Sequence, residues 1–397
     1  MAPATDLVVV LPGIMGSSLR DADGRLVWGA SAGAVMRALG SWSATLRRLQ
    51  LPAGIGDEHP GDGIRPHALM PDVHALPGLW TPIKGYDVLT DRLVRLGHRP
   101  SPDPADPTAP PGNLLPVPYD WRLSNRYNGR SLADQIAPAL ERWRAQGDRY
   151  ADAQVILVCH SMGGLVARWY LQHCDGQQVV RKLITFGTPW RGAGKALDQL
   201  VNGLRPGLGP IHLNLTRLAR SLPSLHQLLP DYACLTPPAG HPPGLRTITE
   251  TNLPRLDPAM VADAARFHHQ LQQAETAQPE SLASTHIILG ARQPTTTTLT
   301  PNADGTLESH TTIGGADEYG DGTVPTVGAL GHQLAADDHR LRRIVDQHGN
   351  LHRNSAALDE LEEILTANPV RWRNPSSVPV RLTAPELTIE GEPVTVT

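Results

Sequence analysis

Apolar and polar positions along the chain follow two alternating regimes. Short, wholly apolar runs are followed by longer stretches in which apolar residues recur at helical spacing. Leu7-Val-Val-Val-Leu11, Gln154-Val-Ile-Leu-Val158, Leu183–Phe186 and His286-Ile-Ile-Leu-Gly290 are such runs, and their length suits strands buried on both faces. Gly85–Gly97 carries Val88, Leu93 and Leu96 on one helical face, with Asp87 as the candidate cap and Gly97 as the stop. Ser131-Leu-Ala-Asp134 reads as a capping box ahead of a helix with Leu132, Ile136, Leu140 and Trp143 on one face and Gly147 past its end. Further helices are predicted from Gly164 to about Cys174 and over Ser355–Leu365. Strands and helices in alternation imply a mostly parallel central sheet flanked by helices. The proline-rich stretch Ser101–Pro118 reads as an irregular connector.

From about Lys195 to Ala283 the pattern changes to leucines and prolines with no clear strand. It is expected to be an inserted helical cap over residues 196–283, which makes residues 1–195 and 284–366 one discontinuous core. Thr295–Gly314 alternates around Asp304-Gly305, a hairpin signal. Val378–Thr397 alternates like one or two strands, so residues 367–397 are expected to form a short β-like C-terminal extension beyond the core.

The 397 residues are 40% apolar and 19% charged, an ordinary globular composition, and the net charge of −4 gives no reason to expect nucleic acid as a partner. Three cysteines, Cys159, Cys174 and Cys234, cannot build a disulfide framework. Neither Cys-x-x-Cys nor His-Glu-x-x-His spacing occurs, so no metal and no other cofactor is expected. The N-terminus passes at once into Asp6–Pro12 without the features of a secretory signal, and no apolar run approaches the roughly 18 residues of a membrane span. The expectation is a soluble, cytoplasmic protein.

The run at 154–158 leads through Cys159-His160-Ser161-Met162-Gly163-Gly164 into a predicted helix. A nucleophilic serine on a strained strand-to-helix turn needs small residues two positions before and after it, and the helix N-terminus favours developing negative charge. Gly163 meets that need, and Cys159 stands where glycine is usual. Cys159 is expected to pack beneath the turn, and His160 to fill the variable position. This arrangement is the nucleophile elbow of the α/β-hydrolase fold, with Ser161 as nucleophile. The oxyanion donors expected in that fold are the backbone N–H of Met162 and one from the Pro12-Gly13-Ile14 loop, for which Ile14 is the best candidate.

Chain order in this fold is serine, acid, histidine. Gly320-Asp321-Gly322 exposes an aspartate on a tight turn, with Asp317 and Glu318 as nearby alternatives that read as solvated. For the base, His332, His339, His348 and His352 follow. His348 lies in a loop just before the last predicted helix, His339 sits in a charged stretch, and His352 is the serious competitor.

Taken together, the motifs resemble the lecithin:cholesterol acyltransferase and lysosomal phospholipase A family of lipases and acyltransferases. The matching pieces are Val9–Leu19, Pro118-Tyr-Asp-Trp-Arg-Leu123, His160–Val166, Phe186-Gly-Thr-Pro-Trp-Arg-Gly192 and Gly320-Asp-Gly-Thr-Val324. Leu222–Pro230 resembles the cap of bacterial members. The resemblance implies Ser161 as nucleophile, Asp321 as acid and Ile14 as oxyanion donor. The family's histidine is followed by Asn at six positions and Leu at ten, thirteen and seventeen; from His348 these are Asn354, Leu358, Leu361 and Leu365, a register that His352 does not reproduce. Tyr119–Arg122 is expected to be structural, and Trp80 to belong either to a lipid-facing lid or to the core. The implied activity is a serine ester hydrolase or acyltransferase working through an acyl-enzyme on lipid or long-chain esters. Contact with a membrane surface would be transient and through the cap. Two alternatives stand beside it: an esterase or thioesterase for small or polymeric esters, and a hydrolase-fold module of a larger assembly, reached through the C-terminal extension and gated by a partner.

Overall fold

The computed structural model describes residues 5–29, 45–72, 85–101, 109–204, 207–208, 211–212, 214–237, 243–277, 284–331 and 338–366. Trp80, His332, parts of the expected cap and the whole C-terminal extension lie outside these residues.

The apolar runs form a parallel sheet. Its strands are β1 (Leu7–Leu11), β5 (Leu114–Pro116), β6 (Val155–His160), β7 (Val180–Phe186), β8 (Thr285–Gly290) and β11 (Leu341–Ile344). Their order across the sheet is β11-β8-β7-β6-β1-β5, and every pairing is parallel. Three antiparallel strands, β2 (Ser17–Arg20), β3 (Leu26–Trp28) and β4 (Arg65–Leu69), form a separate small sheet. β9 (Thr298–Pro301) and β10 (Leu307–His310) are the hairpin expected around Asp304-Gly305.

Successive side chains of a strand point to opposite faces, so each apolar run contributes to two cores. Leu7, Val9, Leu11, Val155 and Leu157 face helices α2 (Asn125–Arg144) and α3 (Gly163–His173), meeting Leu132, Ile136, Leu140 and Trp143. Val8, Val10, Ile156, Val158, Ile184 and Ile288 face α1 (Asp87–Arg95) and the C-terminal helix α8 (Ser355–Thr366), meeting Leu89, Leu93, Leu358, Leu361 and Ile364. Full burial of each such side chain is worth about 1.5–3 kcal/mol.

Three sequence expectations are corrected. The helix assigned to start at Ser131 begins six residues earlier, because Ser124 Oγ accepts the Tyr127 N–H at 3.0 Å and caps it there. Gly129, inside this helix, lets α3 come close: a Cβ there would lie 2.6 Å from Trp169 Cδ1. Asp87 does not cap α1; Tyr86 occupies the cap position and the Asp87 carboxylate accepts the Asp72 N–H. The proline-rich connector contains β5, an edge strand where a missing proline N–H is tolerated. β11, which no sequence signal announced, follows the charged stretch around His339; its run Leu-Arg-Arg-Ile pairs with β8 and sends Arg342 to Glu360 of α8.

Between β7 and β8 lie α4 (Gly194–Asn202), α5 (Thr216–Ser221), α6 (Pro223–His226) and α7 (Pro258–Ala277). Polar contacts tie them to the core helices. Gln227 Oε1 accepts the Asn125 N–H at 2.7 Å, and Ser224 Oγ donates to the Trp121 carbonyl at 2.6 Å. Arg168 of α3 pairs with Glu275 of α7 at 2.9 Å, with both side chains buried. Tyr119–Arg122 is internal too: Arg122 pairs with Asp120 and Asp62 at 2.7 Å, and Trp121 Nε1 donates to the Ser17 carbonyl.

Candidate active site

The chain leaves β1 toward β5 on one side of the sheet and adds β6, β7 and β8 on the other. A crevice therefore opens at the carboxyl ends of β1 and β6, the usual ligand position of an open α/β sheet. Ile14 follows β1 and Ser161 follows β6.

Ser161 has φ +52°, a left-handed conformation that costs a non-glycine residue about 1–3 kcal/mol and persists only where its surroundings enforce it. Two contacts from the end of β7 do so. The Phe186 carbonyl accepts the Ser161 N–H, and Thr188 Oγ1 donates to the Ser161 carbonyl, both at 2.8 Å. The glycines beyond the serine are needed for close approach. A Cβ on Gly163 would lie 2.4 Å from the Pro12 carbonyl oxygen, and one on Gly164 would lie 2.1 Å from Thr188 Oγ1. Cys159 is fully buried in the core beneath the turn, and burial pushes its thiol well above the ordinary cysteine range.

His348 lies across the crevice with Nε2 2.8 Å from Ser161 Oγ and Nδ1 2.7 Å from Asp321 Oδ2. A carboxylate only accepts, so Nδ1 carries the proton and Nε2 receives the serine hydroxyl. Asp321 is 2% exposed. Its Oδ1 accepts the N–H groups of Thr323 and Val324 at 2.9 and 2.7 Å, and its carbonyl accepts the His348 N–H at 2.8 Å. Asp346 braces the same loop by accepting from Gln347 N, Asn350 Nδ2 and Asn354 Nδ2. Asn354, singled out by the family resemblance, thus stands in the support of the histidine loop.

The competing residues lie elsewhere. His352 is buried and its Nε2 donates to the Gly85 carbonyl at 2.9 Å. The His339 side chain is 89% exposed beside Asp338, Asp317 is exposed and Glu318 is half-buried. Met162 occupies the cap position before α3, and Ile14 is half-buried in the loop beside the serine. Among the described residues neither amide N–H is committed to a carbonyl. The Gly13 carbonyl accepts the Gly16 N–H at 3.0 Å, and a Cβ on Gly13 would sit 2.9 Å from Ser161 Cβ. The loop backbone is thus pressed against the serine.

Sequence reasoning passed over Tyr86, Thr188 and Gly187. Gly187 has φ +58°, and a Cβ there would meet Asp321 Oδ2 at 3.0 Å and His348 Nδ1 at 3.1 Å. The Phe186–Gly192 motif was the available signal for the last two. Chemically, the line Asp321–His348–Ser161 can take a proton from the serine hydroxyl and hold the resulting imidazolium. Among the described residues no cluster of three or more His, Cys, Asp or Glu side chains is placed to hold a metal ion, and no helix is long and apolar enough to cross a membrane.

The fold belongs to the α/β-hydrolases. A chain of the Tle4–Tli4 complex superposes on it with a TM-score of 0.62 at 17% identity, covering 92% of this chain and 99% of that one. Residues 108–295 match the family model of lecithin:cholesterol acyltransferase. The human lysosomal phospholipase A and acyltransferase is 31% identical over 120 residues, and the bovine protein of the same name is 31% identical over 118. Each match covers 29% of this chain, and the matched part spans 27% of the human relative and 28% of the bovine one. The family match includes the Ser161 elbow and the Phe186–Gly192 motif, while Ile14, Asp321 and His348 lie outside it.

Proposed function

We propose that the protein is a serine ester hydrolase or acyltransferase that works through an acyl-enzyme on lipid or long-chain esters. The observation that carries this reading is the continuous hydrogen-bonded line from Ser161 Oγ through His348 to Asp321. His348 Nε2 takes the serine proton as Oγ attacks the ester carbonyl, and Asp321 stabilises the imidazolium. The oxyanion rests on the N–H groups of Ile14 and Met162, each worth about 3–4 kcal/mol of barrier. His348 then protonates the leaving alcohol, and water or a second alcohol resolves the acyl-enzyme by the same steps in reverse. The lipid preference draws on the family of residues 108–295 and on the phospholipase and acyltransferase activity named for the relatives. Residues 196–283 are read as the cap that shapes the acyl site.

A fluorophosphonate probe is expected to label the wild-type protein and not Ser161→Ala. Folded wild-type protein that stays unlabelled would end the serine-nucleophile reading. p-Nitrophenyl esters of increasing chain length test the substrate class on the same samples. Turnover confined to acetate would replace lipid esters with small ones.

A further inference from the structure

Beside the Ser161–His348–Asp321 line runs a second buried chain of polar groups that the acyl-transfer steps do not use. Tyr86, at the start of α1, and His160, the last residue of β6, are 3% and 7% exposed. The bonding fixes their hydrogens. His160 Nε2 lies 3.2 Å from the His348 carbonyl oxygen, which only accepts, so Nε2 carries the ring proton. Nδ1 is then an acceptor, and the Tyr86 hydroxyl 2.9 Å away donates to it. The Tyr86 oxygen in turn accepts the Gly13 N–H at 2.7 Å. All three bonds run in one direction, from the loop after β1 to the backbone of the proposed base.

Packing encloses the chain. The His352 ring stacks on Tyr86 with centroids 4.6 Å apart and lies 4.3 Å from the His160 ring. Burial above all, with the neighbouring His352 and His348, holds the His160 imidazole well below the ordinary histidine range. The neutral ring that the bonding requires is therefore the stable form.

We propose that Tyr86 and His160 are positioning residues that hold the oxyanion-donor loop and the His348 loop in register around Ser161 Oγ. At one end, the Gly13 N–H is tied to Tyr86 and the Gly13 carbonyl to the Gly16 N–H. Those two bonds orient the Gly13–Ile14 peptide, whose trans geometry sets the direction of the Ile14 N–H. At the other end, the His348 N–H goes to the Asp321 carbonyl and its own carbonyl receives His160 Nε2–H. Donor and base thus share one hydrogen-bonded scaffold. The inference rests on the serine-hydrolase reading, and Tyr86 and His160 act through their neighbours without touching the substrate.

Two measurements test it. In 15N-histidine-labelled wild-type protein, His160 is expected to show the Nε2–H tautomer and not to titrate between pH 8 and pH 5.5 (range set about the ordinary histidine value); its signal is assigned by its loss in His160→Gln. An Nδ1–H tautomer, or titration in that window, would overturn the chain. In kinetics, Tyr86→Phe keeps the stacked ring and removes the hydroxyl. Complete loss of an oxyanion donor costs about 10²–10³ in kcat, so a misaimed donor is expected to cost roughly tenfold in kcat with KM within about twofold. Tyr86→Phe/His160→Gln is expected to be no slower than the slower single variant, because the groups act as one unit. Multiplying losses, or Tyr86→Phe at wild-type kcat, would refute the positioning role. Fluorophosphonate labelling separates the two levels. An unlabelled wild type removes both readings, whereas a labelled wild type with a fully active Tyr86→Phe removes only this one.

Discussion

Gly187→Ala tests whether the Asp321–His348 contact sets the rate. Gly187 has φ +58°, so alanine there adopts a left-handed conformation at a cost of about 1–2 kcal/mol. Its Cβ would also lie 2.9 Å from Leu351 Cδ1, 3.0 Å from Asp321 Oδ2 and 3.1 Å from His348 Nδ1. The last two atoms are themselves only 2.7 Å apart. A methyl group flanking that bond pushes carboxylate and ring apart by a few tenths of an ångström, which weakens a charge-assisted bond worth about 1.5–3 kcal/mol. If most of that bond stabilises the imidazolium of the transition state, kcat falls by roughly 10–100-fold. Gly24→Ala is the control, since Gly24 has φ +74° with no atom within 4 Å of its Cβ position. The assay is kcat and KM on a p-nitrophenyl ester alongside urea unfolding of both variants. Both variants should lose stability, and only Gly187→Ala should lose kcat. Equal kcat in the two would refute the argument that this contact governs turnover.

Further outcomes follow from burial and charge. Glu275→Leu strands the buried Arg168 guanidinium and should cost about 3–5 kcal/mol in urea unfolding, most of it recovered in Arg168→Met/Glu275→Leu; equal stability of the two variants would show the pair to be unimportant. Ser161→Gly should be more stable than Ser161→Ala by about 0.5–1 kcal/mol, because glycine tolerates φ +52° and alanine does not; the reverse order would remove the strain argument. Burial lowers His98 and His286 to about 4, and His160 lies well below its ordinary value, whereas the unfolded chain charges its histidines near 6.5. The unfolded state then binds more protons below that value. Stability is complete above about pH 6.5 and falls as the pH drops toward 4, by up to about 1.4 kcal/mol per pH unit for His98 and less for the more exposed, solvent-screened His286. A flat urea midpoint from pH 7 to pH 5 would contradict this.

Much of the site was legible because its determinants are local. Strand, tight turn and helix follow one another within residues 154–174, so the Ser161 elbow could be read from a continuous segment. Asp321 stood out because glycines flank it; His348 was a candidate because it precedes the last helix, and the family resemblance chose it over His352. What lay beyond reach depends on distant partners. β5 is an edge strand whose apolar run is broken by prolines and β11 is an edge strand without an apolar run, and pairing with β1 and β8 makes them strands. The start of α2 was misplaced because Ser131-Leu-Ala-Asp134 has the form of a capping box, whereas the helix is capped earlier, at Ser124.

The same division holds at the chemical centre. Apolar period and turn chemistry act over a few residues, and from the sequence alone they determined the layered α/β fold and the strained serine; the chain order known for that fold then pointed to the acid and base. Only the tertiary structure decided that the His352 ring packs on Tyr86 and His160, that Gly187 clears space for the acid–base contact, and that Tyr86 meets His160 across 74 residues of chain. Those relations are set by close packing between elements distant in sequence, which no local pattern encodes.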